Sequence, residues 1–157
     1  MPGIHLTTFI AAPAKRVFDL SRHMAMYKRI FQGRNGNLTT AASSNLLKPG
    51  ETISVVGKVA GRNRLATLKV TKFEDSILFV EEQVKGDLKV FRHEHHFKQV
   101  DNGTIVIDLI EYDQPGDLPG KIFAKFYLRK LLETFVTKRN DIIRNYAETE
   151  KWRAILT

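Results

Sequence analysis

Between Thr52 and Tyr112 the chain alternates short apolar-rich runs with turn signals, four times over. Thr52 to Ala60 ends at Gly61-Arg62-Asn63, and Leu65 to Phe73 ends at Glu74-Asp75-Ser76. Ile77 to Val84 ends at Lys85-Gly86-Asp87, Leu88 to Val100 ends at Asp101-Asn102-Gly103, and Thr104 to Tyr112 is the fifth run. A parallel crossover needs a dozen or more residues, and these connections have no room for one. The runs therefore predict strands that pair antiparallel, in sequence, as a meander. One more strand precedes them at Ile4 to Ile10, where His5, Thr7 and Phe9 alternate with Leu6 and Thr8, and Ala11-Ala12-Pro13 stops it.

Helical signals lie on either side of the meander. Proline is tolerated in a first helical turn, and after Pro13 the residues Val17, Phe18 and Leu20 predict a short helix. A second short helix is expected over about Met24 to Phe31. Residues 32–50, rich in Gly, Asn, Ser and Thr and closed by Pro49-Gly50, read as a long loop. After Gln114-Pro115-Gly116 a long helix places Leu128, Leu131, Leu132, Phe135, Val136, Ile142, Ile143 and Tyr146 on one stripe. Phe123, Phe126 and Tyr127 fall off it, which predicts a bend or break near residue 127, with the early aromatics packing elsewhere. The expected architecture is α+β: a curved antiparallel sheet of about six strands around a long C-terminal helix, with two short helices after the first strand. A helix backbone does not follow a curved sheet everywhere. An internal pocket of roughly a few hundred Å³ is expected between the two, lined by His93, His95 and the last helix.

The 157 residues suit a single domain over 1–157 that buries roughly 70% of its unfolded surface and needs no staples. Cysteine is absent, which excludes disulfides, thiolate metal sites and a cysteine nucleophile and fits a cytoplasmic location. The N-terminus shows no signal-peptide pattern, and no run reaches the length of a transmembrane segment. The net charge of +8 is uneven: +6 over residues 1–50, −2 over 51–114 and +4 over 115–157. Basic ends of this kind suit either simple solubility or weak attraction to an anionic surface. Nucleic acid is not expected, because the Lys and Arg residues are scattered without an aromatic stacking platform. Both monomer and dimer fit the composition.

Several segments carry a family resemblance. Phe9-Ile10-Ala11-Ala12-Pro13-Ala14-Lys15-Arg16-Val17-Phe18-Asp19-Leu20 resembles the opening strand–Pro–helix signature of the START-like, or SRPBCC, superfamily. Phe91-Arg92-His93-Glu94-His95-His96-Phe97 resembles the aromatic-x-His-x-His-x-Phe strand of one bacterial branch. Gly103-Thr104 and Asp108-Leu109-Ile110-Glu111-Tyr112-Asp113-Gln114-Pro115 resemble that branch's next strand, and Arg139 matches an arginine of its last helix. The resemblance covers nearly the whole chain and implies the helix-grip fold. It also implies a polyketide-cyclase-like protein that binds lipids, hormones, polyketides or metabolites in a hydrophobic cavity, with only some members enzymes.

Strand alternation turns Phe91, His93, His95 and Phe97 to one face and the charged Arg92, Glu94, His96 and Lys98 to the other, so the first set should face inward. Three readings of His93 and His95 are open: a polar cavity wall, a half-solvated position at a sheet edge, or ligands to a metal with Asp108 as a third. No complete ligand set is visible in sequence, so no metal and no cofactor are expected. A two-residue turn at Asp101-Asn102 would set Val100 against Gly103, Phe97 against Val106, His95 against Asp108, His93 against Ile110 and Phe91 against Tyr112; a three-residue turn would break this pairing. Glu81 and Glu82, as strand neighbours, point to opposite sides and form no dyad. Arg139 lies at the centre of the apolar stripe. It either snorkels or pairs with a buried acid, Asp108 first, or it meets an acidic group on a ligand. The inward aromatics Phe18, Phe73, Phe79, Phe135 and Tyr146 read as core that can double as cavity wall.

Gly-x-Ser-x-Gly, Gly-x-Gly-x-x-Gly, phosphate-loop and His-Glu-x-x-His patterns are all missing. The expected function is carriage or sensing of a small, mostly hydrophobic molecule, contacted by His93, His95, Asp108, Tyr112, Phe79, Phe135 and Arg139. An acidic group on that molecule would suit Arg139. Two alternatives stand beside this. One is a cyclase, aromatase or dehydratase using His93, His95 or Asp108 for acid–base chemistry. The other is a basic protein that binds anionic lipid or RNA at its surface.

Overall fold

The computed structural model describes residues 3–32, 38–40, 45–59, 61–113 and 121–157. Strand β1 (Gly3–Ile10) leads to helix α1 (Ala14–Ser21), with Pro13 as its N-cap residue. Helix α2 (Met24–Gln32) follows, then strands β2 (Leu38–Thr40), β3 (Thr52–Val59), β4 (Arg62–Glu74), β5 (Leu78–Gly86), β6 (Val90–Val100) and β7 (Gly103–Asp113). Helix α3 (Lys121–Glu148) and the short α4 (Trp152–Leu156) complete the order.

The strands form one sheet in the order β1-β7-β6-β5-β4-β3-β2, with every neighbouring pair antiparallel. The meander is as expected, and β1 closes it by pairing with the last strand. Seven strands replace the expected six or so. The extra one, β2, is a three-residue edge strand inside the segment read as loop, too short to show a period in sequence. The β6–β7 turn takes the two-residue form, with Val100 opposite Gly103 and His95 opposite Asp108. Register shifts at Thr67/Leu68 and Val70/Lys72 mark bulges between β4 and β5. Bulges bend a strand and increase its twist, which curves the sheet around what lies on its inner face.

Two apolar clusters fill that inner face. The larger joins Phe18 of α1 to Phe73, Phe79 and Phe97 of the sheet, with ring centroids 5.2–5.7 Å from Phe18 in edge-on contacts. Phe18, Val17, Leu20 and Met26 are completely buried, each worth roughly 1.5–3 kcal/mol. The second cluster brings Leu128 and Val136 of α3 onto Ile4, Ile110 and Tyr112, with Leu6, Leu88, Phe91, Leu131, Leu132 and Phe135 packed around them. Phe91 and Phe135 touch both clusters.

Helix α3 runs unbroken through residue 127, where a bend or break was expected. No glycine or proline lies between Lys121 and Glu148, so nothing in the backbone interrupts it. Phe126 does not pack elsewhere; it is 69% exposed on the outer face. Helix α4 had no sequence signal of its own. Its Trp152 takes the Arg16 guanidinium over its ring at 4.2 Å, and Ile155 and Leu156 pack on the core. Among the described residues no helix is long and apolar enough to cross a membrane.

Candidate functional site

Inside the apolar shell, where α3 crosses β7 and β6, lies a cluster of polar side chains. Strand alternation turns His93 and His95 of β6, Asp108 of β7 and Glu81 of β5 to the same inner face. All four are buried, His95 and Asp108 completely so. Outward-facing Arg92, Glu94 and His96 instead pair with one another and with Glu82. The two faces are therefore those the sequence assigned, with the addition of Glu81.

The inward groups form one hydrogen-bonded chain. The Tyr27 hydroxyl of α2 donates to Glu81 Oε1. Glu81 Oε2 accepts from His95 Nε2 at 3.0 Å. His95 Nδ1 and His93 Nε2 both meet Asp108 Oδ1, at 3.1 and 2.7 Å. Asn140 of α3 donates to Asp108 Oδ2 at 2.7 Å and to Thr8 Oγ1 at 3.2 Å. Arg139 closes the chain, donating to Asn140 Oδ1 at 2.9 Å and to the Ser21 carbonyl at 3.2 Å. The direct Arg139–Asp108 pairing proposed from sequence is thus replaced by a relay through Asn140. Arg139 does not snorkel; it is 4% exposed.

Charges follow from the bonding. Burial opposes ionisation of Glu81, but hydrogen bonds from His95 and Tyr27 outweigh it and bring its pKa to about 2. Burial also opposes ionisation of Asp108, and its bonds from His93 and His95 hold it well below the usual carboxylate range. Burial, with the repulsion of His95, pushes His93 down to about 4 despite the pull of Asp108. His93 is therefore neutral at pH 7, with its proton on Nε2 and its lone pair on Nδ1. Both nitrogens of His95 lie within hydrogen-bond distance of a carboxylate, Nε2 of Glu81 and Nδ1 of Asp108. Burial drives the Tyr27 hydroxyl well above its ordinary value, and Glu81 adds to this.

Ring contacts fix the histidines as well. His93 and His95 lie 3.7 Å apart between centroids, and His95 stacks on Phe79 at 4.2 Å. Glu81, His93 and His95 each bring one potential ligand atom within 4.8 Å of the others. Sequence reading set Glu81 aside as half of a non-dyad; the usable signal was its strand parity with Phe79, an inward aromatic.

Tyr112 stands apart from this chain. It lies diagonally across from His93 on the same face, 1% exposed, and among the described residues its hydroxyl has no hydrogen-bond partner. Its ring packs in the apolar second cluster, and Arg129 and Glu133 of α3 lie close enough to act on its hydroxyl. Leu131, Leu132 and Phe135 of α3, on the stripe that faces the sheet, are only half-buried there. The structure therefore brings His93, His95, Asp108 and Arg139 into one polar cluster, Phe79 beneath it, and Tyr112 with Phe135 in the adjoining apolar patch.

Residues 10–138 match the family model described as polyketide cyclase / dehydrase and lipid transport. No curated protein matches the chain by sequence. Among solved structures, the protein TTHA0849 from Thermus thermophilus is similar with a TM-score of 0.68 and 19% identity, over 99% of this chain and 100% of that one. The Zhui aromatase/cyclase from Streptomyces sp. R1128 gives 0.73 and 15%, over 94% and 93%. A START superfamily protein from Mycobacterium smegmatis gives 0.69 and 12%, over 93% and 97%. At these identities the structures show the shared fold, while the family model spans most of the sequence. The chain belongs to the polyketide cyclase / dehydrase and lipid transport family.

Proposed function

We propose that this protein binds a small, mostly apolar molecule between β6, β7 and the first half of α3, as a carrier or sensor. The observation that carries this reading is the Tyr112 hydroxyl, buried and without a hydrogen-bond partner among the described residues, at the edge of the apolar cluster. An unpaired buried hydroxyl costs roughly 1–3 kcal/mol, and a ligand oxygen that accepts from it removes that cost. Leu131, Leu132 and Phe135 supply apolar contact and, being half-buried, a way in. His93 is the nearest member of the polar cluster on that face. Asp108, Asn140 and Arg139 act behind it and hold it in place.

A cyclase-type reaction at the same place is the second reading, favoured by the His93–Asp108 pair, which has the form of a base and its orienting acid. The magnitude argues against it. A general base works best with a pKa near the operating pH, and His93 at about 4 is a weak base at pH 7. Binding therefore stands first.

Tyr112→Phe separates ligand contact from packing. Removing an unpaired hydroxyl should leave stability unchanged or raise it by about 1 kcal/mol. Affinity for an aromatic acid such as anilinonaphthalene sulfonate, followed by fluorescence, should fall about tenfold. If affinity is unchanged while the variant is destabilised, Tyr112 is packing alone and the site is misplaced.

A further inference from the structure

The geometry points to a divalent transition-metal site formed by Glu81, His93 and His95. It lies in the polar cluster and does not depend on the apolar patch beside Tyr112 holding a ligand. Zinc bound by nitrogen and oxygen at about 2.0–2.1 Å in a tetrahedron sets its ligand atoms roughly 3.3 Å apart. Glu81 Oε2 and His95 Nε2 already stand at 3.0 Å, and the His93 atom lies within 4.8 Å of both. Closing that gap takes about 1.5 Å at most, within reach of a ring rotation.

The surrounding groups are those a metal site needs. A metal-bound histidine almost always gives its other ring nitrogen to a carboxylate or carbonyl, which fixes the ring and its tautomer. Asp108 does this for both histidines at once: it holds His95 by Nδ1 and His93 by Nε2, which leaves Nε2 of the first and Nδ1 of the second as the nitrogens it does not occupy. Asn140 and Thr8 in turn fix Asp108. Tyr27 holds the second oxygen of Glu81 and leaves Oε2 as the ligand atom. Two imidazoles and one carboxylate suit zinc and its first-row neighbours rather than calcium or magnesium, which take mainly oxygen.

Charge adds a constraint. Ligand nitrogens must be unprotonated, so metal binding competes with protons and adds positive charge to the cluster. A hydroxide or an anionic ligand group in the fourth position offsets that charge. Three protein ligands with one open position is the arrangement of reactive zinc sites.

The test uses the whole protein, stripped with chelator and titrated with Co²⁺ and then Zn²⁺ by calorimetry and visible absorption. The site predicts one equivalent of Co²⁺ with the intense visible bands of tetrahedral coordination, displaced by Zn²⁺. Glu81→Gln and His93→Gln should each weaken binding more than about 100-fold, and Asp108→Asn about 10–100-fold. His96→Gln, a histidine of the outer face, should bind like the parent. Binding without tetrahedral bands, binding untouched by Glu81→Gln and His93→Gln, or binding lost in His96→Gln would each overturn the site. Should the inward variants fail to fold, the histidine ring signals of the parent protein decide by NMR: Zn²⁺ must shift His93 and His95, and unchanged rings overturn the assignment.

Discussion

His93 and Glu81 set how the folded protein responds to acid. In an unfolded chain His93 would titrate near 6.5, and in the fold it does so at about 4. Between those values the unfolded state binds a proton that the folded state refuses, so stability falls as pH drops through the window. The loss is on the order of 3 kcal/mol, complete near pH 4. Glu81, lowered from 4.5 to about 2, continues the loss in the same direction at lower pH. Urea unfolding of the chelator-treated protein at pH 7, 5.5 and 4.5 should show the first part of this decline. His93→Gln should flatten it. A parent protein equally stable at pH 7 and pH 5 would contradict the protonation states assigned to the cluster. Much of this was legible residue by residue: the parity of Phe91, His93, His95 and Phe97 gave the inner face, and the two-residue turn gave the His95–Asp108 pairing. Glu81 was not. Its parity with Phe79 put it on the inner face, but its place opposite His93 required the register of β5 against β6, which sequence does not fix across a longer turn.

Among the elements, α3 carries the strongest dependence on single side chains. Asn140 ties it to Asp108 of β7 and Thr8 of β1, and Arg139 ties it to the end of α1 through the Ser21 carbonyl. Arg139→Met keeps the stem but removes a buried positive charge bonded to Asn140 and the Ser21 carbonyl. It should lower unfolding free energy by roughly 3–5 kcal/mol. Asn140→Leu should cost a similar amount, and the double variant less than the sum, because both remove the same relay. Additive losses would mean that the two residues act separately. The period of this helix was readable from Leu128 to Tyr146, and its apolar stripe is the face found on the sheet. The expected break came from Phe123, Phe126 and Tyr127 falling off the stripe, which implied that they pack elsewhere. An exposed Phe126 on a continuous helix shows that an aromatic off the stripe need not find a partner. Strands β3 to β7 were legible because turns punctuate them. Strand β2 and helix α4, three and five residues long, hold their form by packing on neighbours and carry no pattern of their own.

At the scale of the whole molecule, a curved sheet wraps a helix that it touches unevenly. The C-terminal half of α3 is locked by the polar cluster, and the N-terminal half leaves Leu131, Leu132 and Phe135 half-buried over an unpaired Tyr112 hydroxyl. That asymmetry, polar bonding at one end and half-buried apolar side chains at the other, supports the proposed binding of an apolar molecule. Native mass spectrometry of the protein purified without detergent tests it most directly. The account predicts a species heavier than the chain by roughly a few hundred daltons, the mass of a molecule that fits a small-ligand pocket. That species should release an organic compound on denaturation and be depleted in Tyr112→Phe. A protein that runs only at its own mass, and takes up no compound when incubated with a panel of apolar and aromatic acids, would contradict it.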